Sequence, residues 1–108
     1  MDDTNWSYNE FLAFLMVFGA EMNFSLSTEE LEFIRNKTGI QDIAKIKAKV
    51  DSMNDVEGLE VIEDYRETYL NTKEDEAKVK RDLEAMLHTE GQHSQLEKVA
   101  VHMIEKLL

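Results

Sequence analysis

Ten consecutive residues, Phe11 to Ala20, carry no polar side chain. The run is about half the length a membrane span requires, since crossing takes roughly twenty apolar residues. At helical spacing, Phe11, Phe14, Leu15 and Phe18 cover one side, and Leu12, Met16 and Val17 cover most of the rest. A helix apolar all round has to be enclosed by other elements. The pattern therefore predicts a central helix from about Thr4 to Met22, with Trp6 and Tyr8 over the edge of the core.

The enclosing elements are expected to be helices. The 108 residues include no Pro and only 4 Gly. Interior Pro costs a helix about 3 kcal/mol, whereas strand-rich folds draw on Pro and Gly for their turns. The predicted fold class is all-α: a compact single domain, residues 1–108, of about six helices. Absence of Cys excludes disulfides, thiolate metal sites and cysteine nucleophiles.

Helix-start signals punctuate the chain. Ser27 and Glu30 form a Ser-x-x-Glu capping box for a second helix from about Thr28, with Leu31, Phe33 and Ile34 facing inward and Gly39 as its stop. The third is expected from about Ile40 to Met53, burying Ile43, Ile46, Val50 and Met53, with Lys45 and Lys49 on a solvated outer face. Asn54 and Glu57 cap a fourth, from about Asp55 to Asn71, with Val56, Leu59, Ile62, Tyr65 and Tyr69 inward. Gly58 within it costs roughly 1 kcal/mol relative to Ala. Thr72 and Asp75 open a fifth reaching about His88, with Val79, Leu83, Met86 and Leu87 inward. Ser94 and Glu97 open the last, lined by Leu96, Val99, Ala100, Met103, Ile104 and Leu107.

Charge narrows the function classes. The chain has 23 acidic and 12 basic residues and a net charge of −11. Phosphate backbones and anionic membranes select Lys and Arg, so neither nucleic acid nor membrane insertion is expected. Asp2 and Asp3 stand where a signal peptide would need positive charge, which makes the expected location cytoplasmic. Between 51 and 67 the acids Asp51, Asp55, Glu57, Glu60, Glu63, Asp64 and Glu67 face one base, Arg66. Such a run reads either as a wet helix face or as a surface for a basic protein partner.

Metal and catalytic chemistry have thinner support. Measured against a calcium loop, Glu21, Asn23, Ser25, Glu29 and Glu32 fall at ligand positions. Leu26 stands where the turn requires Gly, and Thr28 where an aliphatic is usual. The stretch from Glu90 ends on Val101 instead of a carboxylate. Capping accounts for Glu30 and Glu97 without a metal, but not for Glu21 and Glu90. His88, His93 and His102 are the only imidazoles, and none belongs to a zinc-helix or nucleophile motif.

The two acidic turns form a pair. Ala20, Glu21, Phe24, Ser27 and Glu30 make the first copy, with two extra residues after Phe24; Glu90, Gly91, Ser94 and Glu97 make the second. The pair resembles the repeated Ala-Asp-Gly-x-hydrophobic-Ser-x-x-Glu segment of the tellurite-resistance TerB-like family. The preceding apolar helix and the segment Ile-Arg-Asn-Lys-Thr-Gly at 34–39 are similar as well. Both family Asp positions are Glu here, and Met22 stands where Gly is expected. The resemblance implies a bacterial, cytoplasmic helical bundle with two similar helix-turn-helix units and no catalytic triad. It also implies a stress or metal-resistance role, with Glu21, Glu30, Glu90 and Glu97 as ligands for a divalent cation such as Ca²⁺, Mg²⁺ or Mn²⁺. The resulting expectation is a non-enzymatic interaction or scaffold domain. The alternatives are an acidic module docking a basic partner through 51–67, and a small helical enzyme.

Overall fold

The apolar run forms the middle of α1 (Tyr8–Asn23), and Phe11 through Ala20 are buried on every side of it. The structure, a computed structural model, describes residues 6–23 and 26–87 together with Lys98 and His102. Among the described residues five further helices follow: α2 (Thr28–Thr38), α3 (Ile43–Asp51), α4 (Asp55–Asp64), α5 (Arg66–Tyr69) and α6 (Lys73–Leu87), with Lys98 and His102 also helical. No strand occurs among the described residues, so the all-α bundle is as expected. α1 packs against α2, α3 and α6, while α5 joins α4 to α6. Fully burying one large apolar side chain contributes about 1.5–3 kcal/mol, and Phe11, Leu12, Phe14, Met16 and Val17 all meet that condition.

Caps set most of the boundaries. α1 begins at Tyr8, not near Thr4, because Ser7 and Glu10 form a capping box. Ser7 Oγ accepts from Glu10 N at 3.2 Å, and Glu10 Oε1 accepts from Ser7 N at 2.8 Å. The box expected at Ser27 and Glu30 is present, as is the stop at Gly39, whose φ of 75° is left-handed. Thr38, buried at that end, donates to the Ile34 carbonyl at 2.8 Å, and Asn9 Nδ2 donates to the Thr38 carbonyl at 3.1 Å. α3 is shorter than the expected Ile40–Met53. Residues 40–42 complete the turn out of Gly39, and Ser52 and Met53 close a looser turn ahead of the Asn54 cap. Thr72 and Asp75 cap α6 as expected, with Asp75 N donating to Thr72 Oγ1 at 3.0 Å. Val79 and Leu83 are buried in it. The side chains of Met86 and Leu87, and the helix expected from Ser94, lie outside the described residues, apart from helical, exposed Lys98 and His102.

The fourth expected helix is divided and turned. Tyr65 leaves the helical path with φ −97° and ψ 2°, separating α4 from α5. Its ring stacks on Trp6 at 5.5 Å, and its hydroxyl accepts from Trp6 N at 2.9 Å. Tyr69 Oη donates to the Trp6 carbonyl at 2.8 Å. Both peptide groups of Trp6 are thus satisfied by tyrosines of the bend, which fixes the chain entering α1.

Val56 and Leu59, expected inward, are 63% and 36% exposed. The inward stripe is Gly58, Ile62, Tyr65 and the half-buried Tyr69. A Cβ on Gly58 would overlap the Phe18 ring. The missing side chain lets the α4 backbone rest on that ring, and this contact sets the rotation of the helix.

Gly58→Ala is therefore destabilising despite the better helix propensity of Ala. Overpacking costs about 1–3 kcal/mol, which exceeds the propensity gain of about 1 kcal/mol. Urea unfolding should show a lower midpoint for Gly58→Ala and partial recovery when Phe18→Leu is added. Independent, additive effects of the two substitutions would show that the contact does not set the helix position.

Candidate functional site

The acidic turn after α1 is held by ordinary electrostatics. Glu21 Oε2 accepts from Leu26 N at 3.3 Å and lies 3.4 Å from Lys47 Nζ on α3. Its carboxylate closes the loop into α2 and ties that loop to a third helix. Glu30 Oε1 accepts from Ser27 N at 2.9 Å, completing the cap. Glu32 pairs with Arg35 at 2.6 Å. Glu90 and Glu97 lie outside the described residues, as do Ser25, His88 and His93, and so does the side chain of Asn23. Among the described residues, no three of His, Asp or Glu gather closely enough to hold a metal ion.

Lys47 was not singled out by sequence reasoning, although its i,i+4 spacing from Asp51 was visible. Its ammonium pairs with Asp51 at 2.7 Å as well as with Glu21. The hydrogen bond to Asp51 holds its pKa above the ordinary lysine value against the opposing effect of burial, and the Glu21 charge adds to the rise.

Beside this pair opens a cleft of about 200 Å³ lined by Phe18, Glu21, Val50, Asp51, Met53 and Asp55. Phe18 of α1 and Val50 of α3, both nearly fully buried, reach it only at their edges, and its carboxylates come from the ends of three helices. Asp55 starts α4, and Val56 and Leu59 follow on the outer face, with Glu60 and Glu63 at helical spacing from them. The acidic segment 51–67 therefore presents apolar side chains outward among its carboxylates.

A second polar contact joins the chain ends of the core. Tyr8 Oη donates to Asp82 Oδ2 at 2.7 Å, and Lys78 Nζ lies 3.2 Å from the same oxygen and 3.8 Å from the Tyr8 ring centroid. Burial, followed by the hydrogen bond to a carboxylate, pushes the Tyr8 hydroxyl above its ordinary range. Burial alone would raise Asp82, but the Tyr8 hydroxyl and Lys78 outweigh it and hold the carboxyl below its ordinary value. The hydrogen bond brackets α1 against α6.

Two measurements follow. Tyr8→Phe should cost about 1.5–3 kcal/mol at neutral pH, the scale of a hydrogen bond to a charged group. A carboxyl with a depressed folded pKa stabilises the fold above its unfolded value of about 4 and loses that contribution as pH falls through the folded value. The gap between wild type and Tyr8→Phe should therefore narrow below about pH 4; a pH-independent gap would assign the cost to packing. Separately, Lys47 already serves as the cation for Glu21. Any rise in melting midpoint with millimolar Ca²⁺, Mg²⁺ or Mn²⁺ should therefore survive Glu21→Gln, and a rise that Glu21→Gln abolishes would instead establish a divalent site there.

No helix among the described residues is long and apolar enough to cross a membrane. No family model matches the chain, and comparisons with curated proteins and with solved structures give no match either.

Proposed function

We propose that this chain is a non-enzymatic interaction module that docks a basic, amphipathic protein segment on the outer face of α4. The observation that carries the reading is the outward placement of Val56 and Leu59 among Asp55, Glu57, Glu60 and Glu63. Helix rotation around Gly58 makes that face, since the residue that rests on Phe18 has no side chain of its own to bury.

Charge selects the occupant. Apolar contact supplies affinity at such a face, while the carboxylates steer a partner rich in Lys and Arg and reject acidic ones. A second copy is a poor occupant, because a chain of net charge −11 would meet its own acidic rim. The small apolar area suits a transient contact. The TerB-like likeness of the acidic turns supports the same class, a helical module without a catalytic triad, and would put it in bacterial cytoplasmic stress or metal-resistance machinery.

A displayed library of random peptides, selected on the wild-type protein, tests the reading. Retained peptides should carry net positive charge and apolar residues. They should bind Val56→Gln/Leu59→Gln about tenfold more weakly, a difference of about 1.4 kcal/mol. Peptides that bind both proteins equally would remove α4 as the docking face. Surface substitutions of this kind alter stability by only about 0.5 kcal/mol, so unfolding should not confuse the result.

A further inference from the structure

α4 is held to the bundle more lightly than its neighbours. α2, α3 and α6 are each tied to α1 by a polar link: Asn9 to the Thr38 carbonyl, Glu21 to Lys47, and Tyr8 to Asp82. Among the described residues α4 has no such link. Its side-chain bonds stay within its own cap, Asn54 with Glu57, or run on from Glu63 to Arg66 of α5. Ile62 is the only side chain it buries fully, and Gly58 meets Phe18 with backbone alone. Glycine inside a helix also weakens that helix against unfolding. The two ends differ. Tyr65, where α4 stops, is buried and pinned to Trp6 by its ring and its hydroxyl. At the other end the cleft lined by Asp55 and Phe18 leaves α4 unsealed.

We propose that α4 is a lid over Phe18, released as one unit from its Asn54 end and hinged at Tyr65, while the rest of the bundle stays folded. Segments with few buried apolar contacts open at lower free energy than the core they cover. Once off the ring, a helix of 10 residues is too short to persist in water, so release and melting coincide. Opening uncovers Phe18, which stacks on Phe14, together with the buried Ile62. The lid thus hides an apolar site on its inner side and presents Val56 and Leu59 on its outer side. That outer face exists only while the lid is shut, so a partner docked there holds it closed by mass action.

Native-state amide hydrogen exchange of the full chain, followed by NMR at increasing sub-denaturing urea, is the test. The helical amides of α4 from Gly58 to Asp64 should share one opening reaction. They should be at least about tenfold less protected than the slowest amides of α1, with a weaker urea dependence because the opening exposes less surface. Amides of Tyr69 and Leu70, beyond the hinge, should not exchange with them. Two mild core substitutions separate a lid from a fully cooperative bundle. Ile34→Val, on α2, weakens contacts that survive the opening; it should lower the protection of α1 about fivefold and leave α4 unchanged. Ile62→Val weakens a contact that the opening breaks, and should lower both. α4 amides that match α1 in protection and urea dependence, or that fall with α1 in Ile34→Val, would overturn the proposal. Joint exchange of Tyr69 and Leu70 with α4 would overturn the hinge at Tyr65. No partner takes part in the measurement, so its outcome is independent of the peptide selection that reads the docking face.

Discussion

Between Phe11 and Ala20 every side chain of α1 is withdrawn from water, and the remaining helices are arranged by that requirement. A surface helix needs one apolar stripe, but α1 has to be covered from all directions. Ile34 of α2, Ile43, Ile46 and Val50 of α3, Ile62 of α4, and Val79 and Leu83 of α6 supply the cover. Trp6 closes the aromatic end, held by Tyr65 and Tyr69 through both of its peptide groups. The chain thus returns from the bend after α4 to lock the entry to its own central helix.

Phe18 links that core to the outer face. One neighbour of its ring is Phe14, stacked at 5.5 Å, and another is the bare backbone of Gly58. Resting on the ring, α4 turns Val56 and Leu59 toward solvent and brings Asp55 to the cleft that Phe18 also lines. A core packing contact thereby determines what the surface offers. The same glycine that weakens the helix locally positions its outer face.

The acidic side chains serve different parts of the fold. Glu10, Glu30, Glu57 and Asp75 accept hydrogen bonds from backbone amides at helix starts, where the helix dipole favours a negative charge. Glu21, Asp51 and Asp82 pair with lysines that tie elements together or support a helix face. Asp55 and Glu60 on α4 have neither role among the described residues. Carboxylates without an architectural partner next to exposed apolar side chains are what separate α4 from the other acidic stretches.

Much of the fold is legible in local sequence. The helical class, the enclosed α1, the caps at Ser27, Asn54 and Thr72 and the stop at Gly39 all depend on residues within a turn of one another. The Ser7–Glu10 box is legible on the same grounds, whereas the apolar run by itself sets no N-terminal boundary. The candidate site was less legible. Glu21 stood out because capping did not explain it, but its partner Lys47 is on another helix, and no short-range spacing relates the two. Helical periodicity allowed Val56 and Leu59 to face inward beside Ile62 and Tyr65 as readily as Gly58. Sequence alone determined that a helix starts at Asp55 and that its charge is acidic, because capping, propensity and charge are local; it did not show the break at Tyr65. Only tertiary structure decided which side of that helix meets the core, because the deciding contact joins Gly58 to a ring forty residues away in the chain.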